Sequence, residues 1–135
     1  ARRINRELEG TALVLGGPDD REKMRAVLER AGESALDGET HELSEFAAMV
    51  GSLDALVTGD TMAMHIAIAL GVPVVVVIGP TAPQEIGFYG PGRKVVSPAE
   101  CAPCYRRECR VAPTCMEAVD ESEVARALEE VLAEA

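Results

Sequence analysis

The spacing of apolar residues changes repeatedly along the chain, and each change predicts an element. Ile4 and Leu8 stand one helical turn apart in residues 1–8, which reads as the tail of a helix, and residues 11–15 follow as a strand. Gly16, Gly17 and Pro18 then break the pattern. Asp19 and Asp20 stand where a helix start wants a cap, ahead of a Met24, Val27, Leu28 stripe that stops at Gly32. A polar connector leads to Thr40, read as the cap of a helix carrying Leu43, Phe46, Ala47 and Val50. Residues 55–58 supply a second buried strand, and Gly59, Asp60 and Thr61 turn the chain into a helix through Met62, His65, Ile66 and Ala69 that ends at Gly71.

Residues 73–78 are almost entirely β-branched, which suits the centre of a parallel sheet. Beyond them come a Gly/Pro loop at 79–92, a short strand at 94–96, a cysteine-rich loop, and a closing helix with Val124, Leu128, Val131 and Leu132 on one face, capped by Asp120 or Ser122. Strands alternating with helices in this order predict an α/β fold, a Rossmann-like doubly wound parallel sheet. With no repeat and no linker, residues 1–135 are expected to form a single domain.

Composition narrows the partners. Thirteen basic against twenty-three acidic residues leave a net charge of −10, which repels polyanions, and two Phe, two Tyr and no Trp offer no stacking platform, so nucleic acid is excluded as a ligand. The longest apolar run, 72–78, is too short to cross a bilayer, and the N-terminal residues lack the apolar stretch of a signal peptide. A soluble, cytoplasmic domain is expected, not transmembrane.

In a parallel sheet the strand-to-helix loops leave at one carboxyl edge, so residues 16–20, 59–61 and 79–83 are expected to converge there. Glycine after a strand permits close backbone approach, and the helix behind Thr61 aims free N–H groups at the same edge, an arrangement that suits a phosphate. Thr61 and His65 are four residues apart and share a helix face, with Asp60 just before them. The same trio also fits plain structural duty: a cap, a first-turn residue and a core or surface histidine.

The stretch 54–83, with its Asp60-Thr61-x-x-x-His65 and Gly79-Pro80-Thr81-x-Pro83 patterns, resembles the signature of the ADP-heptose:lipopolysaccharide heptosyltransferases, glycosyltransferase family 9. Residues 14–20 and the Tyr89-Gly90-Pro91-Gly92 segment also look like family segments. The resemblance implies the C-terminal, donor-binding half of a GT-B enzyme, an inverting glycosyltransferase that moves heptose from ADP-heptose to the lipopolysaccharide inner core. It further implies a cytoplasmic protein working at the inner face of the inner membrane. Gly59, Asp60, Thr61, Met62 and His65 match positions at the donor sugar and diphosphate, Met62 replacing a common family glycine. His41 falls where the family flanks adenine, and Pro80 and Thr81 line the same pocket. The family's general base lies in the N-terminal half, so no catalytic residue is assigned in this chain. The donor-domain strand and phosphate-neutralising lysine that the family places ahead of the helix ending in residues 1–8 are not in it either. The chain is expected to be a fragment, inactive alone, that meets its acceptor through the other half.

Cys101, Cys104, Cys109 and Cys115 pack four thiols into fifteen residues, close to the spacing of a zinc knuckle. In a reducing compartment such thiols favour a shared metal, with Arg106, Arg107 and Arg110 offsetting the charge. A structural zinc is the leading expectation, with an iron–sulfur cluster, two disulfides or free thiols as the alternatives. No cofactor is expected to be required for catalysis. Two further readings stand open: another GT-B nucleotide-sugar enzyme, distinguished by a different donor base, and a non-catalytic, metal-stabilised nucleotide-binding module.

Overall fold

Parallel strands cannot be joined by a tight turn, and the chain meets that constraint twice with a strand–helix–strand crossover. In the computed structural model, which describes residues 1–40, 42–106 and 108–135, the crossovers lie in two compact units, Ala1–Ser52 and Leu53–Ala135.

The first unit contains α1 (Arg2–Glu7), β1 (Ala12–Gly16), α2 (Arg21–Ala31), β2 (Ala35–Glu39) and α3 (Leu43–Gly51). Strands β1 and β2 pair in parallel, Ala12 opposite Ala35 and Gly16 opposite Glu39, and α2 packs on both. Strand β2 replaces the expected polar connector. Its position depends on a missing side chain: a Cβ at Gly38 falls 2.7 Å from Leu15 Cδ2, 2.9 Å from Leu13 Cγ and 3.0 Å from the Val14 carbonyl. Glycine lets the two strands close where no hydrophobic alternation announces them.

Two expected caps are corrected here. Thr40 is not the cap of α3: it is buried, and its N–H donates to the Gly16 carbonyl at 3.1 Å, extending the pairing past β2. Glu42 stands at that helix start instead, in a reciprocal capping box with Glu45. Asp20 precedes α2 without capping it, because its carboxylate pairs with Lys23 at 3.0 Å.

The second unit contains β3 (Leu56–Gly59), α4 (Met62–Leu70), β4 (Val74–Ile78), β5 (Gly92–Val96) and α5 (Glu121–Ala133). Its sheet is parallel throughout with β4 in the middle: Leu56 and Gly92 flank Val74, and Gly59 lies opposite Val77. Val74, Val75, Val76 and Ile78 are at most 1% exposed, as a central strand covered on both faces requires. Helix α4 packs on β3 and β4, and α5 buries Ala127, Leu128 and Val131 on the side facing β4 and β5. Gly71 ends α4 in the left-handed conformation at φ 73°, which glycine adopts without a Cβ penalty. Asp120 caps α5 by accepting from the Ser122 N–H at 2.8 Å, the first of the two expected caps. The α/β class with parallel strands therefore holds, with the strands shared between a two-stranded and a three-stranded sheet. No helix of the described residues is long and apolar enough to cross a membrane.

Candidate functional site

The carboxyl edge of the three-stranded sheet gathers the residues that the sequence singles out. Because Gly59 pairs with Val77, the turn after β3 and the loop after β4 leave the sheet side by side. Residues 16–20 leave the carboxyl end of β1, in the other sheet. Thr61 is the N-cap residue of α4 by position, but its side chain does not cap the helix. Its hydroxyl instead meets the Thr58 hydroxyl at 3.0 Å. Among the described residues the α4 start thus keeps its positive end and first-turn N–H groups without a side-chain acceptor, the arrangement that receives anions. Asp60, Thr61, Met62 and His65 are all exposed around it. The first turn carries His65 back towards Thr61, whose carbonyl accepts from the His65 N–H at 3.4 Å.

The two edge glycines prove different in kind. A Cβ at Gly59 meets nothing closer than the Val77 carbonyl at 3.8 Å, so no packing within the chain demands glycine there and the approach from outside stays open. At Gly79 a Cβ falls 2.7 Å from Met116 Sδ and 2.8 Å from Cys115 Sγ. Gly79 therefore serves the close packing of the cysteine segment. Pro80 and Thr81 follow, half-buried, and the Thr81 Oγ1 atom is buried with no hydrogen-bond partner among the described residues. A buried hydroxyl without a partner is costly, and a polar ligand group or water at this edge would relieve it.

Ser97 and Tyr105 also belong to this edge, though the sequence reading passed over both. The buried Ser97 donates its N–H to the Ile78 carbonyl at 2.8 Å and its hydroxyl to the Cys115 carbonyl at 2.6 Å. The Tyr105 hydroxyl accepts from the Ala82 N–H at 3.2 Å. The Glu85 carboxylate, with partial desolvation, raises the phenol above its ordinary range. The Ala82 N–H opposes the shift, while the Glu85 and Asp60 charges add to it. Neither signal was local: Tyr105 and Ala82 are 23 residues apart.

The cysteines are dispersed along their segment. Cys101 and Cys109 are exposed, Cys104 and Cys115 half-buried, all four are free thiols, and Cys109 Sγ donates to the Val111 carbonyl at 3.3 Å. Among the described residues no three His, Cys, Asp or Glu side chains converge on one point. Arg106 and Arg110 flank Cys109 in an open depression. Arg107 lies outside the described residues, as does His41, the expected adenine neighbour.

The sequence model of glycosyltransferase family 9 (heptosyltransferase) matches residues 4–114, from α1 into the cysteine segment. The chain belongs to this family. A family-9 relationship is also visible in a curated relative, lipopolysaccharide heptosyltransferase 1 of Pseudomonas aeruginosa, 36% identical over an alignment of 93 residues that covers 64% of this chain and 26% of that protein. Among solved structures, the glycosyl transferase family 9 protein from Veillonella parvula DSM 2008 superposes with a TM-score of 0.72 at 26% identity, covering 95% of this chain and 38% of that one. This family-9 chain therefore spans about a quarter of its curated relative and under two fifths of its structural one.

Proposed function

We propose that the carboxyl edge of β3 and β4 is the donor half-site of a glycosyltransferase in lipopolysaccharide synthesis, taking ADP-heptose for inverting transfer of heptose to an inner-core acceptor. The observation that carries this reading is the α4 start left uncapped beside Asp60 and Thr61, in a family-9 chain. The diphosphate would lie at the first-turn N–H groups, where the helix dipole offsets its charge on an otherwise acidic protein. Asp60 accepts from sugar hydroxyls, and Thr61 and His65 donate to phosphate or sugar oxygens. Thr81 supplies its unpartnered hydroxyl, while Gly59 leaves the backbone open to the ligand. Met62, 57% exposed, puts an apolar side chain where the phosphate would approach, so contact there runs through its N–H.

The chemistry of transfer needs a base to take the acceptor proton, and this reading draws that base and the acceptor site from another part of the full-length protein. It carries a cytoplasmic location, facing the inner membrane. The cysteine segment has a supporting part and no step in the reaction.

Calorimetric titration of this chain with ADP, ADP-heptose and, as a control, UDP tests the proposal. Selective binding of the adenine nucleotides is expected, weakened at least about tenfold in Asp60→Ala and in His65→Ala through the loss of charge-assisted hydrogen bonds. Equal binding of UDP points to a different nucleotide-sugar donor. Undiminished ADP binding in both variants sinks the assignment of this edge.

A further inference from the structure

The loop after Gly79 has little regular structure of its own. It contains a single short turn of 3-10 helix, Pro83–Glu85, before β5 begins at Gly92. A loop that lines a ligand site must nevertheless hold its shape before the ligand arrives, or ligand binding bears the cost of ordering it. Its supports come from elsewhere in the chain. Lys94 Nζ donates to the Pro83 carbonyl at 2.7 Å from the β5 side.

The other support is concentrated in two adjacent residues of the cysteine segment. The Cys104 and Tyr105 N–H groups both donate to the Pro80 carbonyl, each at 2.9 Å. Tyr105 has φ 53°, a left-handed conformation uncommon for an aromatic residue. Its side chain then returns to the same loop, where the hydroxyl accepts from the Ala82 N–H at 3.2 Å. Tyr105 thus holds the loop on both sides of Thr81, by backbone at residue 80 and by side chain at residue 82. The ring itself is 56% exposed, so it adds little to a core. An unusual backbone conformation kept by an exposed tyrosine points to a local task.

We propose that Tyr105 is a positioning residue, whose N–H and hydroxyl latch residues 80–82 into the wall of the donor site so that the cysteine segment sets donor affinity without touching the reacting atoms. This inference rests on the donor-site reading above. The latch itself exists without ligand, which allows the two to be tested apart.

Amide hydrogen exchange at Ala82 and ADP titration are measured on the intact chain, on Tyr105→Phe and, as a control, on Tyr89→Phe. Tyr105→Phe keeps the ring and removes the acceptor for the Ala82 N–H. It is expected to speed Ala82 exchange and weaken ADP binding, each about tenfold, with the melting temperature unchanged. Tyr89→Phe changes neither readout, since Tyr89 is 96% exposed. Unchanged Ala82 exchange in Tyr105→Phe overturns the latch whatever the nucleotide result. Faster exchange with unchanged ADP affinity overturns the positioning role while leaving the donor site standing. An intact chain that binds no ADP overturns the donor-site reading, and the positioning role falls with it.

Discussion

The two sheets of this chain use the same crossover to different ends. In β1 and β2 only Gly16 and Gly38 are buried, and both do so by lacking side chains: a Cβ at Gly16 would lie 2.7 Å from Met24 Sδ, as one at Gly38 would from Leu15 Cδ2. Leu36 is 56% exposed in the same pair. In β4, by contrast, the side chains themselves are the core, and four of five are almost fully buried. A sheet held by close backbone approach is vulnerable to added volume. One held by buried side chains is vulnerable to lost volume or added polarity. The candidate site stands on the second kind, where a rigid strand can keep the turn after β3 and the loop after β4 at fixed spacing.

The sharpest way to break this comparison is a charge in β4. Val76→Asp would bury a carboxylate with no partner and is expected to cost more than about 4 kcal/mol, enough to abolish the cooperative thermal transition followed by circular dichroism. A cooperative melt near the wild-type midpoint would show that β4 is not the core of its unit.

Gly38→Ala is the matching change in the first sheet. Two of its three close contacts are side chains that can shift, and the third is the Val14 carbonyl, so the expected cost is about 1–3 kcal/mol by denaturant titration. Exchange should quicken in β1 and β2 and stay unchanged in β4. A loss spread evenly over both sheets would erase the distinction drawn here.

The smallest effect is electrostatic. Glu117 accepts from the Thr114 N–H at 2.7 Å, and this bond, with the Thr114 side chain, lowers its carboxyl below the ordinary value of 4.5. A folded value below the unfolded one gives stability that is complete above the ordinary glutamate range and lost as pH falls through the folded value. The group is exposed, so the gain is slight. Carbon-detected titration should find Glu117 lowered in the intact chain and the turn at 114–118 loosening first in acid, an order that Glu117→Gln removes.

Much of this architecture is legible from residue types because its causes are local. The β-branched run of β4, the glycine stop after α4 and the Asp120 cap each act within a few residues, and the structure places them within one or two positions of expectation. Asp60, Thr61 and His65 are legible for the same reason, since helix spacing alone brings them to one end of α4. Strand β2 escapes because its determinant is the absence of a Cβ against a neighbour met only in the fold. The α3 cap escapes because Glu42 is an unusual capping residue and Thr40 a common one. Tyr105 and Ser97 escape because their partners are distant in sequence. Gly79 was visible, but its packing against Cys115 and Met116 was not.

That last contact makes the thiol a natural gauge of the edge it touches. Cys115 lies half-buried against Gly79, and its carbonyl is tethered by Ser97 to the end of the central strand. The rate at which an alkylating reagent reaches its sulfur is therefore tied to the seating of the Gly79 backbone. Cys101 and Cys109, exposed on the same segment, supply an internal standard for that rate.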